Sequence, residues 1–227
     1  MESSGTTPRQ AARIAGLGLL IMVLAAPIAE VVVYPRLVVP GNIGATVQNM
    51  LAGRGLFLAG LFCYLITFIC DVVVAWALFV LMAPTNRPVS LLAAWFRLLH
   101  AVIALVGLLK LVTVFRFLNT PDYVGLVGTD RLHAQVLLLL SGFRYDYGFS
   151  LIFFAIHLGL LGWLVYRSGY IPGILGVLLA VAGVGHLAYT LGPYLYPGAD
   201  VRFLMFTFLG DLVFMLWLLA RGHRIQE

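Results

Sequence analysis

Six side chains that lipid does not accept cheaply stand inside apolar segments: Asp71, Arg97, His100, His157, His186 and Asp211. A charged group at the centre of a bilayer costs about 3 kcal/mol or more, so each needs a partner or a task. Spacing says which of them share a face. Arg97 and His100 are three residues apart, and so are His186 and Tyr189, which makes each pair stacked neighbours on a helix. Tyr64, Thr67 and Asp71 fall on one helical stripe, Asp146, Ser150 and His157 on another, and Thr207 and Asp211 on a third. Polar residues gathered on one face per helix point towards a protein interior rather than towards lipid.

Two kinds of chemistry fit these residue types. The first is recognition of a small amphipathic or lipid-like ligand by Arg97, His157, Asp71, Asp211, His100 and Tyr64. Arg97 would take an anionic group, and His157 would donate or accept a hydrogen bond. Either Asp71 or Asp211 could balance the arginine. The second is metal chemistry, with His100, His157 and His186 beside a carboxylate holding zinc or a similar ion, or two of the histidines holding a b-type haem. A third possibility involves no ligand at all: the same groups would tie helices together in a structural or partner subunit. The cofactor is left open by the residues themselves. The motifs of the common soluble chemistries are missing: no H-E-x-x-H, G-x-S-x-G or phosphate-binding loop occurs.

These side chains need elements to hold them, and composition says what kind. Of 227 residues, 62% are hydrophobic and only 10% are charged, against about 25% charged in soluble domains. Mean hydropathy is +1.03. Lipid is therefore the partner of most of the surface. The net charge of +5 is spread singly, mostly at the ends of apolar segments, which argues for membrane anchoring and against nucleic acid. Cys63 and Cys70 lie on one apolar segment, about 10.5 Å apart along a helix. That is too far for a disulfide, so both are expected as free thiols.

A helical crossing takes about 20 apolar residues, and six candidates appear: about 14–34, 55–82, 89–115, 147–166, 171–192 and 203–220. The fold class is all-α, a six-helix transmembrane bundle in a single domain. The first segment is read as an anchor and not a cleaved signal, since its apolar run is long and no clean A-x-A site follows. PTNRP (84–88) and YRSGYIP (166–172) are tight turns. The longer connection 35–55 is expected to hold a short surface helix. The connection 119–148 is expected to hold a separate helix over 129–140, too short to cross and therefore interfacial or re-entrant. Glycines 173, 176, 183 and 185 mark 171–192 as a closely packed helix. Arginines divide evenly between the two sides; the first segment, with Arg9 and Arg13 before it and Arg36 after it, sets both termini in the cytoplasm of a multi-pass cell-membrane protein.

CDVVVAWALFVLMAPTNRPVSLLAAWFRLL (70–99), FFAIHLGLLGWLVYRSGYIPGILGVLLAVAG (153–183) and WLLARG (217–222) resemble a bacterial membrane family known as a domain of unknown function, numbered 4386. The resemblance covers nearly the whole chain. It implies an all-helical integral membrane protein and carries no activity. Asp71, Arg97 and His157 match positions of that pattern. Asp211 stands where the family more often has Glu, His186 stands where Tyr is expected, and His100 stands where no particular residue is expected.

Overall fold

The computed structural model describes residues 6–120, 125, 128–196 and 206–222. Helices account for nearly all of it, and no strand occurs among the described residues. Helix α1 (Pro8–Pro27) runs into a π-helical turn (Ile28–Val33) and then a short α2 (Tyr34–Leu37). Pro27 has no amide hydrogen to give, which is where the regular ladder slips into the wider turn. Helix α3 (Ile43–Ala52) is capped by Asn42, whose side-chain oxygen accepts from the Ala45 amide at 2.9 Å.

Arg54–Asn119 breaks at Asn86, which is extended (φ −161°, ψ 100°), giving α4 (54–85) and α5 (87–119). The Asn86 side chain then starts α5 by accepting from the Val89 amide at 3.1 Å. Ser90 donates back to the Phe79 carbonyl at 2.9 Å, so the two helices double back on each other at the PTNRP turn, as its composition predicts. Helix α6 covers Thr129–Ser168, α7 Gly173–Leu195 and α8 Leu209–Arg221.

Four helical stretches are long and apolar enough to cross a membrane: Pro8–Leu37, Arg54–Asn119, Thr129–Ser168 and Gly173–Gly192. Each arm of the Asn86 hairpin exceeds the ~20 residues that one crossing needs. The described part of the expected 203–220 segment is α8, of 13 residues, preceded by a 3₁₀ turn at 206–208; residues 203–205 lie outside the described residues.

One element differs from its expectation. The separate helix placed at 129–140 is the opening of α6, which continues unbroken for 40 residues. The stretch SGFRYDYG (141–148) reads as a loop because it is polar and holds two glycines. Tertiary contacts keep it helical: Lys110 packs on Gly142 and pairs with Asp146 at 2.7 Å, and Phe143 is fully buried.

The chain divides into two compact units, one of 1–21, 69–101 and 148–227, the other of 22–68 and 102–147. In the first, α6 and α7 meet backbone to backbone. A Cβ at Gly162 would lie 2.6 Å from the Gly176 carbonyl, and one at Gly183 would lie 2.8 Å from that of Ala155. Gly210 admits α8 to α7 in the same manner, 2.6 Å from the Leu178 carbonyl. Small residues at such crossings let helices gain packing contact where lipid supplies no hydrophobic drive. Tyr170, in the α6–α7 turn, donates to the Leu81 carbonyl at 2.7 Å and meets the Thr85 hydroxyl at 3.3 Å. Burial raises its phenol above the usual range against the opposing pull of Thr85, so it stays a donor tying the two turns together. The second unit has an aromatic core around Phe57, Tyr64, Phe68 and Phe143, with Tyr64 edge-on to Phe143 at 5.1 Å.

Candidate functional site

In the first unit the structure joins Asp71 on α4, Arg97 on α5 and His157 on α6. One guanidinium nitrogen of Arg97 pairs with Asp71 Oδ1 at 2.7 Å, and another meets His157 Nε2 at 3.2 Å. Arginine can only donate, so Nε2 accepts; the remaining proton of a neutral His157 ring is therefore on Nδ1, which donates to the Ala93 carbonyl at 2.9 Å. Phe154, one turn before His157, places its ring 5.3 Å from the guanidinium carbon. The side chains of Asp71 and Arg97 are 1% and 2% exposed, which shuts out bulk solvent. The chain itself supplies the countercharge, the hydrogen bonds and the ring. This arrangement is a closed clamp across three helices.

The clamp settles which carboxylate balances Arg97: it is Asp71. His100 Nε2 stands 3.6 Å from the other oxygen of Asp71, and its ring lies 5.1 Å from Phe154. Asp211 belongs elsewhere. It faces His186 at 3.6 Å, while Phe208 stacks on the His186 ring with centroids 3.8 Å apart and planes 4° apart. Among the described residues, His186 Nδ1, Thr190 Oγ1 and Asp211 Oδ1 have no hydrogen-bond partner. Phe154, which no spacing pattern singles out, stands between the two groups, 5.9 Å from His157 and 5.2 Å from His186.

The metal reading fares poorly against this geometry. No group of three histidine, cysteine or acidic side chains close enough for an ion occurs among the described residues. Both ring nitrogens of His157 are already engaged, so it could ligate a haem or a metal only by releasing Arg97 or Ala93. Cys63 and Cys70 are free thiols, as their spacing requires.

Tyr64 joins neither group. It lies in the second unit and donates to Glu30 Oε1 at 2.8 Å. The other oxygen of Glu30 pairs with Arg144 at 2.6 Å, and Arg144 lies over the Tyr34 ring at 4.8 Å. The π-helical turn positions Glu30 for both contacts, and such turns recur at functional sites. Beside this cluster an open cleft of about 520 Å³ runs between the 34–46 segment and α6. Val38, Val39, Ile43, Leu137 and Leu140 give it apolar walls; Asn42, Ser141, Arg144, Tyr34 and Tyr145 give it polar ends. Neither Glu30 nor Arg144 is among the residues that spacing singles out, and Arg144 falls within the expected 119–148 connection. The available signal was Pro27 three residues before a lone glutamate in an apolar run.

Residues 14–222 match the family described as "Domain of unknown function (DUF4386)". The chain belongs to that family. Within the DUF4386 protein, the matched segment takes in the clamp, the His186–Asp211 pair and the cleft. It is also similar to an uncharacterized protein of Archaeoglobus fulgidus, 34% identical over 160 residues that make up 70% of this chain and 81% of the relative. No solved structure matches.

Proposed function

We propose that this DUF4386 protein is a multi-pass protein of the cell membrane, with both termini in the cytoplasm, that binds a small amphipathic, lipid-like molecule. The observation that carries this reading is the cleft beside Glu30 and Arg144. It has the size of a small-molecule site, apolar walls for a tail, and a cation, hydroxyls and an amide at its polar parts for a head. The buried Arg97 is poorly suited to that role, because Asp71, His157 and Phe154 already surround it. Its clamp instead ties α4, α5 and α6 together within the first unit.

Arg144 is the group that would greet an anionic head. It is exposed, and Glu30 holds it by one carboxylate oxygen, while Tyr34 fixes its plane. A second acceptor can bind the outer edge of a guanidinium without displacing the first. Native mass spectrometry of the gently purified protein tests the reading: a retained amphiphile is expected on wild type. Leu137 is 53% exposed and lines the cleft, so Leu137→Trp fills it without touching the core. That variant should fold normally and lose the amphiphile that wild type retains in this cleft. A wild-type protein that carries no amphiphile and takes up none on titration would sink the proposal.

A further inference from the structure

A second cleft, in the first unit, carries the opposite balance of polar and apolar lining and a one-signed field. It has a volume of about 510 Å³ and lies where the α6–α7 turn meets the end of α8. Tyr166, Tyr170, Trp217 and Arg221 line it. The hydrogen bonds of Tyr170 to Leu81 and Thr85 bring the PTNRP turn, with Arg87, to the same end of the unit. The start of α1 arrives there too, since Ala12 packs on Gly222 and Leu219 on Gly16; it carries Arg9 and Arg13. Arg167 lies over the Trp163 ring at 5.8 Å.

Five arginines, at positions 9, 13, 87, 167 and 221, are therefore gathered at one end, all exposed. The stretches that meet there, 8–16, 81–90, 163–175 and 214–222, contain no Asp or Glu. Elsewhere in the protein, the buried Arg97 and the exposed Arg144 each come with a carboxylate. Among the described residues none of the five is paired with a carboxylate, which leaves this end attractive to an anionic group. Trp and Tyr beside Arg at helix ends is the composition that sits at headgroup level, and each such cation adds about 1 kcal/mol of attraction to an anionic leaflet.

We propose that the Tyr166–Trp217–Arg221 cleft is a binding site for the headgroup of an anionic phospholipid, with Arg221 on the phosphate and the aromatic rings at the glycerol level. The site is distinct from the cleft at Arg144 and does not depend on what that one binds.

The test uses the full-length protein, delipidated in detergent and titrated with phosphatidylglycerol, phosphatidylcholine or inorganic phosphate, with bound lipid counted by native mass spectrometry. Wild type is expected to take phosphatidylglycerol in clear preference to phosphatidylcholine. Arg221→Gln should weaken phosphatidylglycerol about tenfold, the usual scale of one lost charge-assisted contact, and Arg221→Lys should keep most of it. Arg221 is exposed, so the glutamine variant should melt with wild type. Leu137→Trp should leave phosphatidylglycerol binding here unchanged, which separates this site from the other cleft. Equal binding by wild type and Arg221→Gln would overturn the proposal, and so would equal uptake of the two lipids. Displacement of the lipid by millimolar inorganic phosphate would overturn it in favour of a site for the free ion.

Discussion

Removing the carboxylate of Asp71 should hurt this protein more than any other single polar change. In Asp71→Asn the Arg97 guanidinium keeps its charge, 2% exposed, with its countercharge gone. Breaking a buried pair from one side costs about 3–5 kcal/mol, because the remaining charge is stranded in low dielectric. For a chain of this size, 1 kcal/mol moves the melting point about 2–4 °C, so a fall of roughly 6–20 °C is expected. Thermal melting in mild detergent, followed by the helical circular dichroism signal, reads it. The reciprocal Arg97→Met should fall within the same range for the stranded aspartate. The double variant Asp71→Leu/Arg97→Met removes both charges at similar volume, and such swaps are neutral or stabilising elsewhere. It should therefore melt close to wild type. If Asp71→Asn alone melts within a degree or two of wild type, the clamp is not a desolvated ion pair and the reasoning fails.

Asp211→Asn provides the contrast: with no arginine or lysine partner among the described residues, it should cost under about 1 kcal/mol by the same assay. His157→Phe keeps the ring and loses both hydrogen bonds, leaving an Arg97 nitrogen and the Ala93 carbonyl without this partner, so a loss of about 1–3 kcal/mol is expected. Gly176→Val would press a side chain against the Gly162 carbonyl, 2.5 Å from where its Cβ must sit; loss of monodisperse protein in size-exclusion chromatography is the expected result. Glu30→Gln should leave stability within about 1 kcal/mol of wild type, because the Arg144 side chain is 45% exposed, yet it should alter retention of an amphiphile in the neighbouring cleft.

Much of this arrangement was legible in the chain, for identifiable reasons. Apolar runs of more than 20 residues leave a lipid-embedded backbone no alternative to helix, so the class and most helix positions follow directly. Pro84, Asn86 and Pro88 gave the hairpin, and Gly169 with Pro172 gave the α6–α7 turn. Asp71, Arg97 and His157 could be placed together because a buried charge demands a partner at matching depth. The choice between Asp71 and Asp211 could not be made, since it depends on the rotation of α4 and α8 about their axes. Periodicity put Tyr64 on the stripe of Asp71, but the two residues are about 10.5 Å apart along α4, and Glu30 claims the tyrosine. The continuity of α6 through 141–148 was hidden for a different reason. Its helical state is set by Lys110 and by the burial of Phe143, contacts far away in sequence that local propensity does not see. The cleft beside Arg144 arises from segments more than 90 residues apart in sequence, Val38–Thr46 and Leu137–Tyr145, and leaves no local pattern.

The most direct measurement is native mass spectrometry of wild type, Leu137→Trp and Asp71→Leu/Arg97→Met, purified alike. Wild type and the double variant should carry the same amphiphile mass in the Arg144 cleft, and Leu137→Trp should lack that mass while keeping any phospholipid seated at Arg221. Loss of the ligand from the double variant with retention in Leu137→Trp would return the binding site to the buried arginine and contradict the assignment of the cleft.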